Sequence, residues 1–196
     1  YWWNPSRLPT PAQWVTIEKI RLKDSVNKLM WFGKTETPYS NNQNVLVPYS
    51  EPMEKLLKKG VHSNHERPSG HQPSDALLKR NRGAIAGNLM TLSNNNAADP
   101  YLKYCREHKL KPHPARCPYE LPEFFIKFLT KEGDKILDPF GGSCTTGYAA
   151  HRQDRKWVCI DQDPKFLATF KGHFGGRSKK KVSSKSGRYP VGIYAE

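Results

Sequence analysis

Residues 135–166 predict a strand, a glycine-containing turn, a helix and a second strand in succession. Ile136 and Leu137 form a short apolar run that ends at an acid and a proline, which is typical of a buried parallel strand. Gly141 and Gly142 follow in a turn where the backbone can come close to a ligand, because glycine has no side chain. A ligand is therefore expected at the end of this first strand.

The predicted helix and second strand complete the unit. Ser143, Thr145 or Thr146 is expected to cap the helix, and the second apolar run, Trp157–Ile160, ends at Asp161. A carboxylate in that position is suited to accept the hydroxyl groups of a ribose, while the turn and the helix N-terminus receive the rest of the ligand. Strand, turn, helix, strand and acid within about thirty residues are the layout of a nucleoside-binding βαβ unit.

A phosphate-binding loop fits this turn poorly. No lysine follows the glycines, as a P-loop requires, and Pro139-Phe140 is badly suited to a pyrophosphate cradle. An ordinary turn of an α/β core, which binds nothing, remains the alternative.

The literal sequence of the turn is narrower than a general glycine-rich turn. Asp138-Pro139-Phe140-x-Gly142-Ser143-x-Thr145-Thr146 resembles the S-adenosylmethionine-binding motif of amino-methylating DNA methyltransferases, which act on cytosine N4 or adenine N6. Asp161 and Phe166 stand at the matching offsets. The resemblance implies an α/β fold, a methyltransferase-type Rossmann-like sheet with an irregular recognition insertion. Cys144 replaces the glycine usual in the family, so a left-handed backbone is expected to be avoided or strained there.

A second motif of the same family precedes the cofactor strand. His113-Pro114-Ala115-Arg116-Cys117-Pro118 resembles the family's His-Pro motif, although Cys117 stands where lysine is common. The apolar spacing of Leu121–Leu129 predicts a helix packed on the sheet, with Pro122 in its first turn. Together the two motifs imply a set of S-adenosylmethionine-binding residues: His113, Pro114, Asp138, Phe140, Gly142, Ser143, Thr145, Asp161 and Phe166.

Charge and composition indicate an intracellular protein with a polyanionic partner. The 196 residues suffice for one domain, and the net charge of +14 favours nucleic acid over a membrane surface. No apolar run approaches the ~20 residues of a membrane span, and no signal peptide is recognisable. The four cysteines lie far apart and are interpreted as free thiols. The expected location is the cytoplasm, in association with the nucleoid if the source is prokaryotic.

The chain is predicted to divide into four parts. They are a hairpin of the methyltransferase sheet (1–36), a target-recognition insertion (37–108), a cofactor-binding half (109–170) and a basic tail without fixed geometry (171–196). The β-rich runs Trp14–Ile20 and Val26–Phe32 predict the antiparallel hairpin. Within the insertion, Met53–Lys59 is expected to form a short helix that ends at Gly60, and Tyr101–His108 a second helix.

The insertion is rich in asparagine and arginine, which suit base-edge and phosphate contacts respectively. Its position also matches the recognition segment of the family's permuted arrangement, although any long surface insertion has a similar composition. The predicted DNA contacts are Arg67, Arg80 and Arg82 in the insertion and Lys179, Lys180 and Lys181 in the tail. The tail's alternative role is that of a solubilising terminus.

A zinc site is the rival interpretation of the histidines. His62, His65 and His71, with Cys105 and His108, offer possible ligand pairs, but the pairs lie far apart and arginines crowd them. Solvated loop histidines are the preferred interpretation, and no metal is expected.

The family's catalytic loop, Asp, Ser or Asn followed by Pro-Pro and an aromatic residue, does not occur in the sequence. Asp99-Pro100-Tyr101 lacks one proline and lies in the wrong place, so it is interpreted as a decoy. No catalytic residue is therefore predicted within the chain. In the permuted subgroup the loop precedes the hairpin, so an upstream segment or a separate subunit is expected to carry it.

The resemblance implies methyl transfer from S-adenosylmethionine to an exocyclic amine in double-stranded DNA, with cytosine N4 preferred. Adenine N6 methylation remains an alternative, as does a non-catalytic DNA-binding or specificity subunit with the same fold. An RNA or small-molecule methyltransferase is a third possibility. The chemistry requires no metal, because the sulfonium carries the activated methyl group.

Overall fold

The computed structural model describes residues 1–3, 12–60, 78–93, 99–163, 165–166, 169–174, 183–185 and 191–195. The chain divides into two compact units, Tyr1–Ser40 with Asn88–Glu196, and Asn41–Gly87. The strands are β1 (Trp2–Trp3), β2 (Val26–Asn27), β3 (Met90–Thr91), β4 (Lys135–Asp138), β5 (Lys156–Asp161), β6 (Ser183–Lys185) and β7 (Val191–Ala195). The α-helices are α1 (Glu51–Lys59), α2 (Pro100–Glu107), α3 (Glu120–Leu129) and α4 (Thr145–Arg152). Shorter helical turns are a π-helix at Gln13–Ile17 and 3₁₀ turns at Asn42–Asn44 and Thr169–Phe174.

A sheet of four described strands, ordered β4-β5-β7-β6, carries the larger unit. β4 and β5 are parallel, with Lys135 opposite Lys156 and Asp138 opposite Cys159, and α4 lies between them in the chain. The predicted strand, turn, helix and strand are therefore confirmed. β7 pairs antiparallel with β5.

The core lies where α4 packs against β5 and α3 packs against α4. Trp157 is 1% exposed and belongs to one buried cluster with Ile126, Ala149 and Phe170. A Cβ placed on Gly147 would lie 2.5 Å from Cε3 of Trp157, so only glycine lets α4 approach the indole. This close packing fixes the helix that follows the predicted ligand-binding turn.

β4 differs from the prediction in one respect. Leu137, predicted to be buried in a parallel strand, has 64% of its surface exposed. Among the described strands β4 pairs with β5 alone, so it forms an edge of the sheet. An edge strand of this kind leaves its outer side uncovered.

The predicted hairpin between Trp14–Ile20 and Val26–Phe32 is wrong. Gln13–Ile17 is helical, and only Val26–Asn27 is a strand. That strand pairs with Trp2–Trp3, which also pairs in parallel with β3. Local β-propensity predicted that Val26–Phe32 would pair with its neighbour in the sequence. Tertiary packing instead determines the partner of the short strand that forms there.

The unit of residues 41–87 is built around α1, which confirms the short helix predicted there. Pro52 lies in the first turn, and Gly60 ends the helix in the left-handed conformation with φ of 70°. An isolated bridge joins Val47 to Ala84, and a Cβ on Gly83 would lie 2.7 Å from the Val47 carbonyl oxygen. The close approach of these two backbone segments therefore requires glycine.

The predicted helices α2 and α3 are confirmed, each with a proline in its first turn or at its start. α3 packs chiefly against α4, however, and not directly on the sheet as predicted. The predicted tail without fixed geometry is wrong where the structure describes it. Phe174 ends the helical turn Thr169–Phe174 and packs against the core, and Val191–Ala195 extends the sheet. Apolar residues within the segment, which the basic composition masks, explain the difference.

No helix in the described part of the chain is long and apolar enough to cross a membrane.

Candidate cofactor-binding site

The turn after β4 is folded against the end of β5 by backbone contacts. The Gly141 N–H donates to the Ile160 carbonyl at 2.7 Å, and a Cβ on Gly141 would lie 2.8 Å from Cβ of Cys159. Gly142 adopts a φ of 49°, and its N–H donates to Oδ2 of Asp161 at 2.8 Å. Both glycines are therefore required by the geometry, one by close approach and one by the left-handed backbone.

Asp161 links the turn to the loop that follows β5. While Oδ2 accepts from Gly142, Oδ1 accepts the Asp163 N–H at 2.8 Å. Each carboxylate oxygen has two lone pairs, so each can accept a further hydrogen bond from a hydroxyl group. The side chain is both fixed in place and able to bind a ligand.

A cavity of about 470 Å³ opens beside this carboxylate. Its lining residues are His113, Pro139, Phe140, Asp161, Gln162, Asp163 and Phe166. The rings of His113 and Phe166 meet edge to face with centroids 4.6 Å apart, and Phe140 is 87% exposed at the opening. Aromatic rings beside an acceptor carboxylate suit the base and ribose hydroxyls of an adenosine.

The structure brings four of the predicted cofactor residues to this cavity: His113, Phe140, Asp161 and Phe166. Gly142 lies beneath His113, since a Cβ there would be 3.2 Å from the imidazole. Asp138 shapes the turn, because its Oδ1 accepts the Phe140 N–H at 2.9 Å.

Like Asp138 and Gly142, the three remaining predicted cofactor residues do not line the cavity. Pro114 is exposed beside it. Ser143 and Thr145 are buried, with their hydroxyl oxygens 2.9 Å apart. Thr145 instead lines a second cavity of about 260 Å³, next to Tyr148 and His173.

The predicted cap of α4 is wrong. None of Ser143, Thr145 and Thr146 occupies the N-cap, which is Cys144, and no side chain caps the helix. Cys144 adopts the left-handed backbone with φ of 60°, so the strained alternative of the prediction is the one realised. The reason is that the chain must leave the tight Gly141-Gly142 turn at this position.

Cys144 lies against Cys159 in the core, and all four cysteines are free thiols. The hydrogen bond to Cys159, followed by burial, raises the pKa of Cys144 far above its ordinary value. Burial likewise raises the pKa of Cys117 to about 11. Both thiols therefore stay protonated at neutral pH and act as packing groups rather than nucleophiles.

The second cavity contains an ion pair and a sandwiched imidazole. Arg116 donates to Asp99 at 2.5 Å, and its guanidinium stands 5.4 Å from the Tyr101 ring. His173 stacks between the rings of Tyr101 and Tyr148, at 4.9 and 5.1 Å. Burial lowers the pKa of His173 to about 4, so this histidine is neutral at physiological pH.

Asp99-Pro100-Tyr101 is the start of α2, where Asp99 caps the helix by accepting the Tyr101 N–H at 2.9 Å. Sequence reasoning missed the wholly buried Tyr101, whose hydroxyl accepts the His113 N–H at 3.0 Å. An aspartate followed by proline is a helix-start signal and was present in the sequence. No sequence signal, however, indicated that the Tyr101 hydroxyl would bond to the His113 N–H.

The predicted DNA contacts remain predictions. Arg80 makes a two-point ion pair with Glu54, at 2.9 Å for both bonds, and this hydrogen bonding raises the pKa of Arg80. Arg82 donates to the Gln43 carbonyl at 3.3 Å. Arg67, Lys179, Lys180 and Lys181 lie outside the described residues, as do His62, His65 and His71 of the rejected zinc site. Where the structure describes the chain, no cluster of three or more His, Cys, Asp or Glu side chains is arranged to hold a metal.

The parallel βαβ unit, its glycine turn and the acid after the second strand define an α/β methyltransferase of the S-adenosylmethionine-dependent type. The chain belongs to the N6/N4 methyltransferase family, described as DNA methylase, whose profile matches residues 1–172. The predicted family and fold are thereby confirmed. Methyltransferases of this family use S-adenosylmethionine.

Individual relatives agree with this assignment. The chain is 46% identical over 170 residues to the type II methyltransferase M.PvuII of Proteus hauseri, a match that covers 86% of this chain and 51% of that protein. It is 44% identical over 55 residues to the type II methyltransferase M.BglI of Bacillus subtilis, covering 28% and 16%. The solved structure of PvuII DNA methyltransferase (cytosine-N4-specific) matches with a TM-score of 0.64 and 38% identity, over 88% of this chain and 49% of that one. The chain thus spans about half the length of the PvuII enzyme.

Proposed function

We propose that this chain is the cofactor-binding and target-recognition part of a DNA methyltransferase that modifies cytosine at N4. The observation that carries the proposal is the bond between Asp161 and the Gly142 N–H, which places a carboxylate at the cavity beside the glycine turn. Family membership supplies the reaction class, since the family consists of amino-methylating DNA enzymes.

The residues at the cavity fit S-adenosylmethionine. Asp161 would accept the ribose hydroxyls, and His113, Phe140 and Phe166 would surround the base with aromatic faces and edges. When bound, the cofactor supplies a methyl group already activated by its sulfonium. The chain's own contribution is to hold and orient that donor, which is the main catalytic resource in such a transfer.

The preference for cytosine N4 rests on the PvuII enzyme. Its solved structure, 38% identical to this chain, is named cytosine-N4-specific, and the 46% identical M.PvuII carries the same PvuII name. Digestion of modified DNA to nucleosides, followed by mass spectrometry, tests the choice directly. N4-methyldeoxycytidine is the expected product, and N6-methyldeoxyadenosine would assign the chain to the other branch of the family.

The catalytic loop is proposed to lie on a segment or subunit that docks beside β4. Support comes from the open edge of β4 and from Leu137, which lies in that strand and is 64% exposed. Parallel sheets normally cover both faces, so an exposed apolar strand of this kind fits a further neighbour. The coverage of only about half of the PvuII enzyme leaves room for such a segment.

Double-stranded DNA is the proposed partner. The net charge of +14 supports electrostatic binding to the phosphate backbone, which falls steeply with salt. The competing function is that of a non-catalytic subunit, which binds DNA and the cofactor but never forms a complete active site. Methyl transfer after addition of the catalytic segment would exclude it, whereas cofactor and DNA binding with no transfer under any condition would favour it.

A further inference from the structure

Three hydrogen bonds, the middle one buried, join the backbone of His113 to the backbone of Phe166. The His113 N–H donates to the Tyr101 hydroxyl at 3.0 Å, and that hydroxyl lies 2.8 Å from Oγ1 of Thr169. The Thr169 hydroxyl in turn donates to the Phe166 carbonyl at 2.5 Å. Tyr101 is wholly buried and Thr169 is 1% exposed, so water does not compete for these groups.

The number of protons that each group can donate determines the direction of these three hydrogen bonds. An amide N–H can only donate and a carbonyl can only accept, while each hydroxyl has one proton. The proton of Thr169 is committed to the Phe166 carbonyl, so in the 2.8 Å contact between the two hydroxyls Thr169 accepts and Tyr101 donates. The Cys105 thiol is a second polar neighbour of the Tyr101 hydroxyl. Every hydroxyl therefore donates once and accepts once, and bonds in such a series strengthen one another. Burial also raises the pKa of Tyr101, which keeps its phenol protonated.

The two ends of this chain of bonds are neighbouring residues in the wall of the proposed adenosine cavity. His113 and Phe166 both line that cavity, and their rings touch with centroids 4.6 Å apart. Neither Tyr101 nor Thr169 lines it. Tyr101 is itself held by the capped start of α2 and by Arg116 over its ring.

We infer that Tyr101 and Thr169 are positioning residues for the adenosine end of the cofactor, because together they fix the backbone of His113 relative to that of Phe166. The inference deepens the proposed function and rests on it. Neither residue lines the cavity. Tyr101 acts through His113, and Thr169 acts through Phe166. Asp99-Pro100-Tyr101, a decoy as a catalytic loop, thus has a definite role as the anchor of the His-Pro loop.

Calorimetric titration of the full chain with S-adenosylmethionine and with S-adenosylhomocysteine tests the role of the hydroxyls. Tyr101→Phe removes one hydroxyl and keeps the buried ring that stacks on His173. Its Kd is expected to rise about tenfold, the equivalent of one lost buried hydrogen bond. The factor should be the same for both ligands, since they share the adenosine and differ at the sulfur. Tyr104→Phe, on the same helix, is the matched control and should leave both constants unchanged.

Substitutions at Thr169 separate the hydroxyl from packing. Thr169→Val preserves the shape but removes the middle donor, and should weaken binding by a similar factor. Thr169→Ser keeps the hydroxyl and should restore a Kd within about twofold of the parent. The double variant Tyr101→Phe/Thr169→Val should bind no more weakly than about either single variant, because one series of bonds is broken in all three.

Thermal unfolding is followed on the same samples, and all titrations are made well below the unfolding temperatures. Lower unfolding temperatures with an unchanged Kd in Tyr101→Phe and Thr169→Val would overturn the inference, since the bonds would then serve stability alone. Equal weakening by Thr169→Ser and Thr169→Val would also overturn it. Absence of binding by the parent chain, in contrast, would overturn the proposed cofactor itself.

Discussion

Asp161 accepts a hydrogen bond from the Gly142 N–H at 2.8 Å, although 19 residues separate them. One carboxylate oxygen thereby holds the turn after β4, and the other holds the loop after β5 through Asp163. The same group that is proposed to bind the ribose also keeps the two halves of its own site together. Loss of the carboxylate should therefore affect the shape of the site as well as its contacts.

The first prediction concerns Asp161→Ala. S-adenosylmethionine binding should weaken by roughly 1–3 kcal/mol, the cost of losing a charged hydrogen-bond partner. Calorimetric titration measures the change. Asp154→Asn removes the same charge at an exposed position with φ of 56°, which asparagine tolerates, and should bind like the parent. Equal affinities for the Asp161 variant and the parent would remove this residue from the site.

The second prediction isolates the backbone strain at Cys144. Cys144→Gly and Cys144→Ala both lose the thiol that bonds to Cys159, but only glycine relieves the φ of 60°. The glycine variant should be the more stable of the two by about 1 kcal/mol in denaturant unfolding.

The matched comparison is made at Cys159, which lies in β5. There the order should reverse, with alanine more stable than glycine, because extended backbone gives glycine no advantage. A Cys144→Ala variant as stable as Cys144→Gly would show that the left-handed backbone carries no strain.

The third prediction follows from the lowered pKa of His173. Between pH 4 and 6.5 the unfolded chain protonates this histidine while the folded chain does not, so unfolding takes up a proton. The contribution to stability is complete above pH 6.5 and is lost as the pH falls toward 4, by on the order of 1–3 kcal/mol. Urea unfolding across this range measures it.

His173→Gln should flatten this pH dependence, because glutamine does not titrate. A slope unchanged in the His173 variant would mean that other groups control acid unfolding.

The sequence predicted the cofactor turn well and its supports poorly. The pattern of residues 135–161 is local, since each strand and helix carries its own apolar spacing and the acid follows directly. Short motifs identified His113 and Phe166. Tyr101 and Thr169 escaped prediction, because 68 residues separate them and no periodic pattern marks a buried hydroxyl pair.

The same distinction explains the errors in the fold. The strand partner of Val26 is Trp3, which only tertiary structure specifies. The exposure of Leu137 depends on what covers its face of the sheet, and a short apolar run reveals neither that nor the position of β4 at the edge. The helical turn at Thr169–Phe174 was concealed by the basic residues around it.

The fourth prediction concerns DNA binding by Lys179, Lys180 and Lys181. Replacing all three with alanine should reduce the magnitude of the log–log salt slope by up to about 0.9 for each phosphate that the variant no longer neutralises. Deletion from Lys171 onward is a poorer test, because it would remove Phe174 from the core. Fluorescence anisotropy on a duplex at several salt concentrations gives the slope.

The control is Lys135→Ala/Lys156→Ala, at the ends of β4 and β5 opposite to the glycine turn. The salt slope of this control should change less for each charge removed than the slope of the variant at Lys179, Lys180 and Lys181. Equal changes per charge in both variants would show that the three lysines act only through net charge.

The fifth prediction, and the most direct test of the proposal, is transfer of a radiolabelled methyl group from S-adenosylmethionine to duplex DNA. Residues 1–196 alone should give no labelling, because they contain no loop of the Pro-Pro type to hold a flipped base and its amine, and misplacement by about 1 Å can cost on the order of a hundredfold. Addition of the segment that carries this loop, in the same polypeptide or as a separate one, should produce labelled N4-methyldeoxycytidine. Robust cofactor-dependent labelling by residues 1–196 alone would contradict the account.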